Sequence, residues 1–401
     1  MSQATIRDRA AIVGVGQTPF SRSLGRSEYD MALEAILGAC ADAGISPREI
    51  DATVRYDMET TDEENLLAAL GNPCLRYFVS SAWGGGGSAS VIVLAAAAIA
   101  AGMASTVLVY RSRARGKQSA YGKGAHLGGR YWERLDAALP GLNAWHVPHG
   151  LVSAFQEMAM IAMRHRIEYG TTDDQYAEVA VAFRAHAARN PRAVMRTPMT
   201  VADHRASRMI SDPLRLFDCC IETDGAVALL VTSAERARDL RQRPAYVLAG
   251  AMAGGGHHIR LSTFYERSRG DDGAPRAARQ LWQMAGIRPA DVDVALFYDF
   301  FTPLVIMALE DYGFAPAGEG GPFVEAGGLA WPDGRLICNP NGGQLSEAFI
   351  HGFNNTAEAV RQIRGTSTSQ VEDCEVAFVA GGNSDPTGAI LLRRGASATR
   401  S

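Results

Sequence analysis

Tyr298 and Asp299 end the strand-like run "DVALFYD" and lead into "FFTPLVIMALEDYGF". A phenol can give or take a proton if its surroundings bring its pKa down from about 10. The alternative is a strand-end ring that simply packs. Asp299 beside it either moves protons or orients its own loop. His351, in "SEAFIHG", is of the type that carries protons near pH 7; a ring bonded to backbone near a helix is the other reading. Glycines supply a second ingredient. Gly84 to Gly87 form an unbroken run before "SASVIVLAAAAIAAG", Gly343 follows "NPNG", and Gly381 and Gly382 follow "EVAFVA". Backbone N–H groups at a helix start can bind a developing oxyanion. Gly85, Gly86, Gly343, Gly381 and Gly382 are therefore candidate donors, unless glycine is there only for close packing. Proton carriers beside oxyanion donors suit chemistry through an enolate. Asn354 and Asn355 either cap or face a helix or bind a carbonyl oxygen.

The cysteines offer less. Cys40, Cys74, Cys219, Cys220, Cys338 and Cys374 show no CxxC pair and no zinc spacing, so no metal is expected. Cys74 and Cys338 have apolar flanks and read as packed thiols; the vicinal Cys219 and Cys220 read as structural. The start "MSQATIRDRA" is polar and charged, unlike a signal peptide, and reduced thiols fit the cytoplasm. The pair His257–His258 follows "AGGG", where it can border the site without metal spacing, and a basic stretch "YRSRARGKQSAYGKG" follows "STVLV". The basic stretch reads as a solvated loop or as a contact for phosphates or a partner.

Composition sets the scale. With 401 residues and 47% hydrophobic content, the chain can bury more than one core. A net charge of -4 calls for neither nucleic acid nor an anionic membrane. The span from Ala89 to Val109 is long enough to cross a bilayer. It is mostly alanine, Gly102 offers a helix stop, and "STVLVY" has the β-branched character of a strand. The spacing predicts a buried helix over 89–102 and then a strand. A helix apolar on every side belongs in the middle of a layered α/β protein.

The chain also repeats itself. "AGISPREIDATVRYD" from Ala43 and "AGIRPADVDVALFYD" from Ala285 keep a constant offset of 242 residues. Each follows an amphipathic helix, with Ser27 as N-cap and Gly44 as C-terminal stop in the first copy. Tyr56 is thus the repeat mate of Tyr298. The expected organisation is an N-terminal half over 1–240 and a C-terminal half over 241–401. A helix-rich cap is inserted at about 112–210.

Taken in order, "AIVGVGQTPF", the glycine-to-alanine helix, "NPRAVMRTPMT", "DPLRLFDCCIETDGAVALLV", "YDFFTPLVIMALEDYGF" and "NPNGGQLSEAFIHG" resemble the thiolase superfamily. The likeness covers nearly the whole chain and is greatest to the sterol-carrier or lipid-transfer-protein type. It implies the thiolase fold, with duplicated halves in α-β-α-β-α layers. It also implies action on acyl-CoA and a homodimer in which "STVLVY" pairs across the dimer axis.

The resemblance also sharpens the site. Where the family holds its nucleophilic cysteine, this chain has Gly85; at the second cysteine it has Val379. The activating histidine is replaced by Phe349, and the family's other loop residue becomes Tyr298. Phe349 and Asn354 then line a substrate pocket. Loss of every Claisen group of the family with retention of the loops implies carbon–carbon cleavage without acyl transfer. The chain is similar to the thiolase-like aldolases of steroid side-chain degradation. These imply a retro-aldol cleavage of a 3-hydroxyacyl-CoA to a ketone and a short acyl-CoA. They also imply a small partner with an OB-fold and a zinc ribbon. No cofactor is expected beyond the CoA of the substrate, with zinc only in that partner. Phe349 departs from those aldolases, which carry a tyrosine in both loops. An acyltransferase or Claisen enzyme using an unaligned thiol, and a non-catalytic scaffold needing a partner, are the alternatives.

Overall fold

The computed structural model describes residues 5–72, 74–81, 84–115, 149–151, 153–255, 272–382 and 386–395. The first half holds β1 (Ala10–Gln17), β2 (Ala52–Arg55), β3 (Tyr77–Ser80) and β4 (Thr106–Ala114). A two-stranded ribbon follows, β5 (Met209–Ser211) with β6 (Leu214–Arg215), and then β7 (Asp224–Ser233). The second half holds β8 (Ala245–Ala253), β9 (Val294–Leu296), β10 (Ile337–Cys338), β11 (Val376–Ala380) and β12 (Thr387–Arg393).

Ten of these strands form one sheet in the order β10-β9-β11-β12-β8-β1-β7-β4-β2-β3. Outward from the middle, β1-β7-β4-β2-β3 and β8-β12-β11-β9-β10 are the same arrangement twice. β2 lies between parallel β3 and β4, as β9 lies between parallel β10 and β11. The halves join through antiparallel β1 and β8, with Ala11 opposite Tyr246. The repeat seen in the sequence is therefore a repeat of topology.

Local detail follows the repeat. The helix Glu28–Ala43 starts where the Ser27 side chain accepts the Asp30 N–H and stops at left-handed Gly44 (φ 73°). Its counterpart Gly273–Ala285 stops at Gly286 (φ 67°). Each stop is followed by a short 3-10 turn, Pro47–Glu49 or Pro289–Asp291, with proline at its start. Proline fits there because its missing N–H would go unused.

The buried helix runs over Gly87–Ala100, slightly ahead of the expected 89–102, with Gly102 left-handed just beyond it. It shares a core with a second helix, Phe353–Arg364, and with residues from strands of both halves. Val91, Ile92 and Ile99 are buried there, each worth roughly 1.5–3 kcal/mol if fully buried. A separate core holds Glu28–Ala43 against the other face of β1, β4 and β7. A third holds Gly273–Ala285 beside the helix Thr302–Asp311. The two five-stranded halves of the sheet thus flank the paired helices, with a further helix outside each, which is the layer order expected.

Two expectations change. "STVLVY" is not an edge: β4 lies between β2 and β7, so it cannot pair across a dimer axis. The unpaired margin among the described residues of this half is β3, where Phe78 is 70% exposed. β4 also continues past Tyr110 through Arg111 and Arg113, both buried, so this part of the basic stretch is no solvated loop. Residues 116–124 of that stretch and His257–His258 lie outside the described residues. Within the inserted cap, Ala154–Tyr169 and Asp173–Arg189 are helices that pack into the core around Thr302–Asp311. The cap thus leans on the C-terminal half. Among the described residues, no helix is long and apolar enough to cross a membrane.

Candidate active site

β9 ends at Leu296, and the chain turns through Phe297, Tyr298 and Asp299 towards Thr302–Asp311. Tyr298 is 4% exposed. Glycines from three loops box its ring. A Cβ on Gly85 would stand 2.6 Å from Tyr298 Cε1, 2.7 Å from Cζ and 3.0 Å from the hydroxyl oxygen. On Gly352 it would stand 3.0 Å from Cδ2, and on Gly382, 3.2 Å from Cδ1. No other residue type permits so close an approach. The ring fills the space that a side chain at residue 85 would occupy.

The glycines divide in role. The Gly382 N–H donates to Gly85 O at 2.9 Å, and the Gly381 N–H to Gly388 O at 2.8 Å. Neither is available as an oxyanion donor; they lock the C-terminal loop to the start of the buried helix. Gly343, expected as a donor, gives its N–H to Asn341 Oδ1 at 3.3 Å. Its missing Cβ leaves room for Asp299 Oδ2. Gly86 O accepts from Gly388 N and from Ser90 Oγ. The Gly85 N–H, ahead of the helix, donates to no described residue.

Asp299 is fully buried. Its Oδ1 accepts from the Gln344 N–H at 2.9 Å and Asn355 Nδ2 at 3.2 Å, and its Oδ2 from the Leu345 N–H at 3.1 Å. Burial lifts the carboxyl to about 6, against those hydrogen bonds. Both oxygens are committed to the 343–346 turn, with Asn355 sharing one, so Asp299 orients a loop rather than moving protons.

His351 also departs from expectation. It sits at φ 50° in a left-handed turn shared with Gly352 (φ 79°). Arg111 Nε donates to its Nδ1 at 2.9 Å, and Arg113 Nη1 lies 2.6 Å from its Nε2. Burial first, then Arg113, Arg111 and Arg115, hold the imidazole well below its usual pKa. With a guanidinium on each ring nitrogen, His351 is not placed to pass a proton to a substrate.

The arginines are residues that sequence reasoning missed. Arg111 pairs with Glu59 at 3.0 Å and Arg113 with Glu222 at 2.5 Å, their side chains 4% and 3% exposed. Arg113 also lies over the Phe349 ring, 4.6 Å from its centroid. The available signal was alternation: Val107, Val109, Arg111 and Arg113 share one face of β4.

The remaining candidates are placed as follows. Phe349 flanks Tyr298, with centroids 6.4 Å apart, and clusters with it and Cys220. Asn354 is not on the helix surface. It is fully buried, its Nδ2 3.0 Å from Glu347 Oε2. Asn355 is likewise buried, its Nδ2 donating to Phe297 O at 2.7 Å. Val379 is buried within β11. Cys338 is buried beside Asn339, its thiol pushed well up by burial, while Cys74 is exposed. Cys220, set aside from sequence, packs against Tyr298. For Tyr298 itself the expectation of a lowered pKa reverses. Burial above all, then Tyr56 and Cys220, push the phenol well above its ordinary value, against Arg113 and Arg111. It stays protonated and presents an O–H.

Residues 256–391 fit a family model described as thiolase C-terminal domain-like. A 17-hydroxy-3-oxo-4-pregnene-20-carboxyl-CoA lyase of Mycobacterium tuberculosis is 42% identical over 96% of this chain and 99% of its own. The chain belongs to the thiolase superfamily. A steroid side-chain-cleaving aldolase of Thermomonospora curvata is also 42% identical, over 96% of this chain and 97% of its own. A solved Ltp2-ChsH2(DUF35) aldolase superposes with a TM-score of 0.87 at 40% identity, covering 97% of this chain and 98% of that one. Within the superfamily, this thiolase-like chain stands with the carbon–carbon lyases of CoA thioesters.

Proposed function

We propose that this chain cleaves a 3-hydroxyacyl-CoA by a retro-aldol reaction, its substrate a steroid side-chain thioester and its products a ketone and a short acyl-CoA. The observation that carries the reading is the Tyr298 ring in the space of a residue-85 side chain. An acyl-enzyme needs a nucleophile there, and a proton-carrying phenol stands instead. The names of the two 42% relatives support the class of substrate.

Tyr298 works as a neutral proton relay. Its oxygen takes the hydrogen of the substrate's 3-hydroxyl while its own hydrogen passes to the α carbon. The Cα–Cβ bond breaks, its electron pair delocalises onto the thioester oxygen as an enolate and then forms the new Cα–H bond with the hydrogen from the phenol, and the O–H pair becomes the ketone π bond. The relay starts and ends as a phenol, which suits a group whose burial opposes ionisation. The Gly85 N–H, at the positive end of the buried helix, faces negative charge growing on the thioester oxygen. Phe349 and Cys220 keep water from the ring. No cofactor is required beyond the CoA of the substrate.

We place the chain in the cytoplasm, as a homodimer joined at β3 and working with a small OB-fold and zinc-ribbon partner. The partner is supported by the DUF35 component named in the similar aldolase. The test is incubation with a tertiary 3-hydroxyacyl-CoA, partner present, following release of ketone and acetyl- or propionyl-CoA. Wild-type turnover that collapses in Tyr298→Phe supports the reading. No cleavage of any such thioester favours a scaffold.

A further inference from the structure

We propose that His351 is the positioning residue of Tyr298: clamped between Arg111 and Arg113, its ring fixes the left-handed turn that holds the phenol in place. This rests on the lyase reading and goes beyond it, because it assigns a role to a buried charge cluster that the reaction does not consume.

The cluster is a chain of contacts across the two halves. Glu59, which follows β2, accepts from Arg111 Nη1 at 3.0 Å and from the Ser112 N–H at 2.8 Å. Arg111 Nε reaches His351 Nδ1, Arg113 meets the other ring nitrogen, and Glu222 closes the line on Arg113. A neutral imidazole has one acceptor nitrogen, so with Nδ1 accepting from Arg111 the Nε2 carries the hydrogen and meets Arg113 in close packing rather than in a hydrogen bond. The ring also packs on Tyr56 at 5.2 Å and on Phe349 at 4.8 Å between centroids. The charged and titratable groups facing it are thus Arg111, Arg113, Arg115, Glu59, Glu222 and Tyr56.

The backbone shows what the clamp is for. A non-glycine residue with positive φ persists where its surroundings over-determine it. His351 at φ 50° is followed by left-handed Gly352, and a Cβ on Gly352 would touch Tyr298 Cδ2. Two residues earlier, Phe349 forms another side of the same pocket. The turn therefore sets where the phenol ring can sit, and the imidazole bridge sets the turn. The bridge spans first-half strand β4 and second-half residues 349–352, so it also fixes the halves against each other at the site.

The experiment compares wild type, His351→Ala, His351→Asn and Glu59→Gln, partner present. His351→Ala lowers kcat on the order of 100-fold, the scale for a misplacement of about 1 Å, with KM held within about threefold. His351→Asn restores most of the rate, because asparagine tolerates left-handed φ and its Oδ1 can accept from Arg111. Glu59→Gln loosens Arg111 without touching the turn and gives a partial loss. In none of them does a limb of the pH–rate profile between about pH 5 and 8 move, since no proton passes through the ring. Spectroscopic titration of tyrosine, with Tyr298→Phe as the subtraction, shows Tyr298 ionising at lower pH in His351→Ala as its pocket loosens. An unchanged kcat in His351→Ala, or a lost pH limb in both His351 variants, overturns the proposal. If wild type cleaves no 3-hydroxyacyl-CoA, the lyase reading fails; the titration then decides, and an unmoved Tyr298 signal overturns the positioning role. Should His351→Ala not fold, His351→Asn and Glu59→Gln carry the same readouts.

Discussion

The Tyr298 ring occupies the volume that a side chain on Gly85 would need, 2.6 Å from Cε1 to the Cβ position. One substitution demands the other. Gly85→Ala forces the ring aside, so the rate falls on the order of 100-fold and stability drops by about 1–3 kcal/mol, the usual cost of overpacking. Tyr298→Ala should relieve the clash, so the double variant is no less stable than Tyr298→Ala alone. Thermal unfolding of the four proteins checks this. Additive losses would show that the two positions do not share their space.

Tyr298→Phe keeps the ring and removes only the hydroxyl. Fold and KM hold while kcat drops roughly 100-fold, the scale of a positioned proton carrier. Because burial raises the phenol above 10, the working neutral form is present at neutral pH and is lost only as pH climbs past the ordinary tyrosine range. Wild type therefore shows no activity loss from this group between about pH 7 and 9. A fall in that interval that disappears in Tyr298→Phe contradicts the neutral relay.

Asp299 gives a stability signature. Its carboxyl ionises at about 6 when folded, against 3.8 ordinarily. The folded state therefore binds this proton more tightly. The associated stability is complete below the unfolded value and is lost as pH rises through the folded one. Some two units correspond to about 3 kcal/mol. Urea unfolding at about pH 4 and pH 7 should show that loss in wild type and a smaller one in Asp299→Asn.

Cysteine chemistry separates the lyase from an acyltransferase. Cys220 is 3% exposed and lies against Tyr298. Brief iodoacetamide treatment and Cys220→Ser should both leave turnover within about threefold, where a thiol nucleophile would lose at least 100-fold. Loss of activity on Cys220→Ser revives the thiol mechanism.

Edge strand β3 exposes Phe78 to 70%. An uncovered apolar edge invites pairing, and charge blocks it. Phe78→Lys should convert a dimer to monomer in sedimentation velocity. A wild-type protein that is already monomeric refutes the β3 interface.

Much of this was legible in the sequence because it was written locally. The 242-residue offset, the Gly44 stop and the alanine helix each rest on propensity or a repeated pattern, and each holds. Tyr298 stands out in the sequence by its place in the loop where the chain resembles the family, just after a repeated strand. What failed depended on distant partners. A strand's neighbours are set by tertiary order, so nothing in "STVLVY" itself shows that β4 lies inside the sheet between β2 and β7. Arg111 and Arg113 looked solvated because charged residues seldom bury without partners, and Glu59 and Glu222 are remote from them in sequence. His351 has the residue type of a proton carrier, and only its neighbours reveal that both nitrogens are taken. The pKa direction of Tyr298 likewise follows from burial that no single stretch encodes.

The palindromic strand order carries over to the site. Tyr56 and Tyr298, equivalent in the two copies, both come to the centre: Tyr56 packs on His351 and is near enough to Tyr298 to raise its phenol. Two-fold arrangements bring equivalent positions face to face. Here the two copies have parted: Tyr56 lies against the His351 ring beside the arginines, while Tyr298 stands against Gly85. A strand order that reads the same from either end thus encloses a centre whose two equivalent side chains do different work.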